Sequence, residues 1–463
     1  MELNLHKAYQ SVEGVKFIID HHEFLCSAGK KFALNQKFIT DADKIKEELD
    51  TIDLFLLYRK NAEFLKILKK IKLQIHQVNE INYSLERLKG RVTLTDIDFF
   101  EIKRFAIIAN QIYNLSKNLP NYKPQLEESS DIIKILDPNN LNVADFYIYD
   151  EYSPEIAKLR KNLSEETDEE AKAKIYSEIV QLENSIREDL SEQLYEHHDT
   201  IKQNFEKVAY TDFVLAKSKY VLLNNFVRPV ISDDKTVLES VYYPHLKHIL
   251  NKQNKEVQPV SVKIENKPTL ITGANMGGKT VLLKTVQLCQ YLFQFGFFIP
   301  AKHAEIVPIE TVISNFSDTQ SIEKGLSSFG AELVTFDKVI KTIRKNNKVL
   351  ILLDEPASTT NPIEGTALVN SIINLLDKYK AYSIVTTHFS GIVSNCIRLR
   401  VVGLNIDGKE PQDCCVADLN KFMDYSLIKD DGNTPLDAIN IAEILKIDEE
   451  LIQKAKQHIK TKD

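Results

Sequence analysis

Apolar residues in the first 125 positions recur at intervals of three and four, the spacing that lines one face of a helix. Lys44 to Leu57 and Ala62 to Val78 follow it most clearly, and Gly and Pro are scarce until Pro120 and Pro124 close the block. Residues 126–150 lose the period. They predict a linker with short extended pieces and a turn at Asp137-Pro138-Asn139-Asn140. Ser153-Pro154-Glu155 predicts a helix start, and residues 154–220 read as long helices. From Ile175 to Val208 an apolar repeat runs through dense charge, as in a lever or coiled-coil arm. The texture changes at Asn225-Phe226-Val227-Arg228-Pro229-Val230-Ile231. Beyond it short strand-like runs alternate with helical ones, which predicts an α/β domain. Its elements include a helix ending near Phe295, short strands near Glu305–Ile313, a polar loop from Ser314 to Gly330 and a helix near Ala331–Asn346.

Two strand ends in that domain carry candidate chemistry. Thr269-Leu270-Ile271-Thr272 is an apolar run, and Gly273-Ala274-Asn275-Met276-Gly277-Gly278-Lys279-Thr280 follows it directly. A helical period begins at Val281. Glycines let the backbone turn tightly so that successive N–H groups face one phosphate, and a helix N-terminus adds positive potential. In this phosphate-loop (Walker A) spacing Lys279 reaches the β- and γ-phosphates and the Thr280 hydroxyl ligates Mg²⁺. The bland alternative is a glycine-rich turn in an unrelated α/β fold.

The run Lys348-Val349-Leu350-Ile351-Leu352-Leu353-Asp354-Glu355 has the unbroken apolarity of a strand covered on both faces and ends in two carboxylates, the Walker B form. Asp354 is placed to hold Mg²⁺, directly or through water. Glu355 is placed to orient or deprotonate a water attacking the γ-phosphate. A third strand, Tyr382 to Thr387, ends in His388, which can contact the γ-phosphate or that water; a satisfied structural histidine is the alternative.

Charge narrows the partners. Residues 1–220 carry 31 Lys and Arg against 38 Asp and Glu, a deficit of seven, and the remaining 28 of each sign make up the totals of 59 and 66. A chain with formal net charge −7 gives no support to strong non-specific nucleic-acid binding, though a local basic patch remains open. The acidic run Glu165 to Glu170 reads as a solvated helix surface or turn, and His21-His22 as an ordinary helix-surface pair. The five cysteines, Cys26, Cys289, Cys396, Cys414 and Cys415, show no metal spacing and predict reduced thiols. No apolar run approaches a membrane span and the N-terminus lacks a secretory pattern, so a cytoplasmic protein of two or three domains is expected.

With these motifs the chain resembles the MutS-type ATPases of the ABC superfamily. The phosphate loop departs from the usual family form mainly by Ala274 in place of Pro. Gly325-Leu326-Ser327-Ser328-Phe329 resembles the signature loop, which implies that Ser327 contacts a γ-phosphate held by the opposite subunit of a homodimer. Thr360-Asn361-Pro362-Ile363-Glu364-Gly365 resembles the loop after the catalytic Glu, and Thr386-Thr387-His388 the switch histidine. Pro435 to Ala455 resembles the dimerising helices. Pro356, Ala357 and Thr359 depart from the family's loop, where glycines are usual at the last two positions. Lys255 stands near the position of the aromatic residue that stacks on adenine, and Tyr425 is a candidate replacement from the C-terminal side.

The resemblance implies an α/β P-loop (ABC-type) ATPase domain with an N-terminal all-α core and lever region. The divisions are a helical core over 1–125, a shortened clamp and levers over 126–220, and an ATPase domain with dimerisation helices over 221–463. It implies ATP and Mg²⁺ as ligands; the sequence departs from the family in offering no counterpart of the mismatch-reading domain. Short MutS-like proteins of this form resemble reactivating partners of cobalamin-dependent aminomutases. That implies remodelling of a protein partner, an aminomutase or a MutL-like protein. The alternative is a DNA-binding ATPase acting on duplex or branched DNA.

Overall fold

The computed structural model describes residues 3–141, 143, 145–273, 277–316, 328–346, 348–405, 422–430 and 437–460. The chain forms two compact units, one of Met1–His21, Lys37–Leu49 and Val221–Asp463, the other of His22–Gln36 and Asp50–Tyr220. The first 125 residues are therefore shared between the units.

The second unit is helical. Its helix Asp96–Ser116 starts on a capping box, in which Thr95 and Asp98 satisfy each other's backbone N–H groups. Phe99, Ile102, Phe105, Ala109 and Ile112 then fall on its buried face, packed with Phe55, Tyr58 and Ile71. The helix Pro154–Glu165 begins as its sequence predicts, with Pro154 in the first turn and the Ser153 hydroxyl accepting from Glu155 N–H.

Three expectations are corrected here. Residues 130–136 form a helix rather than extended linker, because Ile132, Ile133 and Leu136 make one buried face. This segment is tied down by the buried Lys103 ammonium, which donates to Asp137 at 3.2 Å and to the Tyr149 hydroxyl at 2.9 Å. The long repeat breaks after Tyr195, giving the helices Glu169–Tyr195 and His198–Asn224. His22 is buried, its ring stacked 4.5 Å from that of Tyr220, and only His21 is exposed.

The same unit contains a buried carboxylate. Asp212 accepts from the N–H groups of Leu25 and Cys26, just before the helix Ser27–Leu34. Burial raises its pKa while those N–H groups pull the other way. Gly29 makes room for it, since a Cβ there would stand 2.1 Å from Asp212 Oδ2.

The first unit is mixed α/β. Its strands are β1 (Val230–Ile231), β2 (Lys235–Val241), β3 (Val260–Glu265), β4 (Pro268–Thr272), β5 (His303–Ile306), β6 (Thr311–Ser314), β7 (Val349–Leu353), β8 (Tyr382–Thr386), β9 (Ile397–Leu404) and β10 (Met423–Lys429). They form two mixed sheets, β1-β5-β2-β3 and β10-β9-β4-β8-β7-β6. In the larger sheet β9, β4, β8, β7 and β6 are parallel and only β10 is antiparallel. Strands β4, β7 and β8 are buried almost throughout, which accounts for their unbroken apolar runs. The helices Ser328–Ile343 and Pro362–Lys378 supply Val339, Ile343, Val369 and Ile373 to a core with Ile351, Leu353 and Val385. The helix Lys279–Gln294 is buried along nearly all its length. Among the described residues no helix is long and apolar enough to cross a membrane.

Asp212→Ala strands two backbone donors and is expected to destabilise the protein by about 1–3 kcal/mol, the usual scale for an unsatisfied buried group. A urea unfolding curve with an unshifted midpoint would contradict that account.

Candidate active site

The parallel register brings three strand ends side by side. Leu270 pairs with Val385 and Leu352 with Ile384, so β4, β8 and β7 finish level with one another. Open parallel sheets bind ligands at such carboxyl ends. Within two residues of these strand ends stand Gly273, His388 and the pair Asp354-Glu355.

Gly278 caps the helix Lys279–Gln294 with φ 73°, a left-handed conformation that favours glycine. Lys279 is 5% exposed. Its ammonium donates to the Gly273 carbonyl at 2.7 Å and stands 3.3 Å from Glu355 Oε1. The Thr280 hydroxyl donates to Asp354 Oδ2 at 2.5 Å. The other Asp354 oxygen accepts from the Thr386 hydroxyl at 2.7 Å, and that hydroxyl also accepts from Glu355 N–H at 3.0 Å. The backbone of Asp354 is gripped as well. Asn315 donates to its carbonyl at 2.8 Å and accepts from its N–H at 2.6 Å. His388 Nδ1 lies 3.4 Å from Glu355 Oε2.

These groups open onto a cavity of about 910 Å³ whose walls include Gly277, Lys279, Thr280, Asp354 and Glu355. Leu246, Leu250, Val257 and Tyr425 also line it, together with the polar Asn254, Glu256 and Gln258. The Tyr425 ring lies against Gly278, where a Cβ would be 2.9 Å from its Cδ1. Burial raises the pKa of its hydroxyl. Gln258 holds the strand that carries it, accepting from Tyr425 N–H at 3.1 Å and donating to Asp424 at 2.7 Å. Lys255 borders the same cavity.

Gly273, Gly277, Gly278, Lys279, Thr280, Asp354, Glu355, His388 and Tyr425 thus converge on one place. Ala274, Asn275, Met276 and Ser327 lie outside the described residues. Three contributors escaped sequence reading. Asn315 and Gln258 stand in polar stretches with no motif of their own, and Thr386 was visible only as a neighbour of His388. The loop Glu355-Pro356-Ala357 turns with φ 42° at Glu355 and 61° at Ala357.

A mixed α/β unit thus places a lysine, a threonine, two carboxylates and a histidine at adjacent parallel strand ends, an arrangement that many proteins could share. Comparison with known proteins narrows it. Residues 269–462 match the family model for MutS domain V, a stretch that contains every polar group of this site except Asn254, Lys255, Glu256 and Gln258. Endonuclease MutS2 of Agathobacter rectalis is 32% identical over 280 residues, 59% of this chain and 33% of that protein. Endonuclease MutS2 of Fusobacterium nucleatum is 33% identical over 277 residues, 58% of this chain and 33% of that protein. For Endonuclease MutS2 of Clostridium tetani the identity is 36% over 210 residues, 44% and 26% of the two chains. The chain thus spans a third or less of the length of these relatives. Together the matches relate residues 269–462 to MutS domain V and part of the chain to Endonuclease MutS2 proteins.

Thr386→Val would remove one hydroxyl from both Asp354 and Glu355 N–H. A loss of about 1–3 kcal/mol in unfolding free energy is expected. Stability equal to wild type would mean that this hydroxyl does not organise the site.

Proposed function

We propose that this protein is an ATPase of the MutS type, with an ABC-type P-loop domain that binds and hydrolyses ATP in a homodimer. The observation that carries the reading is the convergence of Lys279, Thr280, Asp354 and Glu355 on one cavity. Lys279 holds the β- and γ-phosphates, and Glu355 orients or deprotonates the attacking water, with His388 against its other oxygen. The wall with Tyr425 receives the base. Thr280 Oγ1 and Asp354 Oδ2, 2.5 Å apart, form a pair of hard oxygen donors of the kind Mg²⁺ takes from a protein while it keeps phosphate and water ligands. When bound, Mg²⁺ neutralises charge on the phosphate oxygens.

In this reading residues 1–125 are a helical core, 126–220 a shortened clamp and levers, and 221–463 the ATPase domain with dimerisation helices. Ser327 completes the site of the opposite subunit, and nucleotide state moves the helical levers to remodel a protein partner, such as a cobalamin-dependent aminomutase. The excess of acid over base in residues 1–220 supports a protein partner over a nucleic acid. A second reading, a DNA-binding ATPase, draws on the relatives, whose names describe endonucleases.

Lys279→Ala removes charge-assisted phosphate contacts and is expected to weaken ATP binding by about 10- to 100-fold. Glu355→Gln is expected to retain binding and slow phosphate release by roughly 10²-fold or more. Unaltered affinity and turnover in both variants would overturn the ATPase reading. Mixing Ser327→Arg with Lys279→Ala protein should leave at most one competent site per heterodimer. Full activity of Ser327→Arg as a monomer would refute the shared site.

The two partner readings separate in a salt titration of binding to duplex, mismatched and four-way-junction DNA, with and without ATP. On the protein-partner reading, binding stays in the non-specific range of about 10⁻⁴ to 10⁻⁶ M and ignores DNA structure and nucleotide. Sub-micromolar, ATP-sensitive binding to a branched or mismatched substrate would establish the DNA reading instead.

A further inference from the structure

The loop that follows Asp354 is held in a conformation its residues do not favour. Glu355 and Ala357 both have φ in the left-handed region, at 42° and 61°, and neither is glycine. Such residues stay there only where their surroundings impose it. The loop's own hydrogen bonds are long, Ser358 N–H to the Glu355 carbonyl at 3.3 Å and Thr360 N–H to the Ala357 carbonyl at 3.4 Å. They are weak restraints on a strained turn.

A stronger restraint comes from another element. Glu332, on the helix Ser328–Ile343, is half-buried and accepts from Ala357 N–H at 2.8 Å through Oε2. Burial raises the pKa of this carboxylate, while the Ala357 N–H and the neighbouring Thr359 side chain pull it down. An ionised acceptor makes the bond from Ala357 charge-assisted, about twice as strong as a neutral one. On the opposite side the loop is backed by Gly365. A Cβ there would meet the Phe389 ring at 2.5 Å and the Ala357 carbonyl at 3.1 Å. Ala357 itself is fully buried. The turn is therefore pinned from two sides. What it presents toward the cavity is the Glu355 carboxylate, one oxygen beside Lys279 and the other beside His388.

We propose that Glu332 is a positioning residue for hydrolysis: its carboxylate holds the left-handed Ala357 turn and so keeps the Glu355 carboxylate between Lys279 and His388. The proposal rests on the reading of Glu355 as the group that prepares the attacking water. Glu332 touches neither that water nor the nucleotide. Its loss therefore lowers kcat and leaves ATP affinity alone. The substitution Glu332→Gln still offers a carbonyl oxygen to Ala357 N–H, so this conservative variant keeps most of the function. Glycine at position 357 adopts φ near 60° without steric cost, so it reduces the need for the restraint.

The test uses the full-length protein and measures steady-state ATP turnover together with equilibrium ATP binding. Glu332→Ala is expected to lower kcat by about 10-fold with ATP affinity within about twofold of wild type, the scale of one lost charged hydrogen bond. Glu332→Gln should stay within about threefold of wild-type kcat. Adding Ala357→Gly to Glu332→Ala should recover a large part of the lost turnover, which a role confined to helix packing would not allow. Thr359→Val, on the exposed side of the loop, removes the polar neighbour of the Glu332 carboxylate and serves if Glu332→Ala does not fold; a smaller fall in kcat at unchanged affinity is expected. Wild-type turnover in Glu332→Ala, equal damage from Glu332→Gln, parallel loss of affinity, absence of rescue by Ala357→Gly, or wild-type turnover in Thr359→Val would each overturn the proposal. Glu355→Gln run beside them separates the failures. If it turns over ATP normally, the reading of Glu355 is wrong. If it is slow while Glu332→Ala is not, only the positioning role falls.

Discussion

The candidate site depends on the hydrogen bonds that fix Asp354. Its two carboxylate oxygens accept from Thr280 and Thr386, and its backbone N–H and carbonyl are both engaged by Asn315. Those partners come from the first turn of a helix, the end of β8 and the residue after β6. A single acidic residue thus joins three elements that are far apart in the chain. The parallel register makes this possible by bringing the strand ends level, so that side chains just past them reach one another. A shift of one residue in any of these strands would exchange the side chains on its two covered faces and separate the carboxylates from the lysine.

Backbone conformation is the second constraint. Gly278 takes φ 73° beneath the Tyr425 ring, so the start of the helix and the wall of the cavity fit only without a side chain at that position. The loop at Glu355 takes the opposite course and places non-glycine residues in left-handed geometry. Restraint from neighbouring elements then stands in for intrinsic preference. Lys279 and Glu355 also compensate each other, since a nearly buried ammonium is tolerated when a carboxylate and a carbonyl face it.

The helical unit follows the same logic on a larger scale. Its core is aliphatic and aromatic, but Asp212, Asn204 and Lys103 are buried within it and each is engaged by named partners. Asn204 accepts from Glu127 N–H and donates to its carbonyl, while Lys103 reaches Asp137 and Tyr149. These contacts draw residues 126–150 onto the helices. Polar anchors of this kind add little net stability compared with apolar burial, but their directionality selects one arrangement of the segment.

Much of this was legible in the sequence by itself, because helices and buried strands leave a local period. The unbroken apolarity of Val349–Leu353, the cap at Ser153-Pro154 and the glycine spacing before Lys279 are short-range signals that need no partner to be read. So were most members of the site, since Lys279, Thr280, Asp354, Glu355 and His388 all stand at ends of recognisable elements. Only the tertiary structure decided which strands are neighbours. It also decided that residues 130–136 are helical, that His22 is buried, and that Asn315, Gln258 and Glu332 serve residues 39, 167 and 25 positions away. The reason is physical. A hydrogen bond between side chain and backbone across such distances leaves no periodic trace in either segment, and an isolated polar residue in a loop looks the same whether it faces water or holds a strained turn.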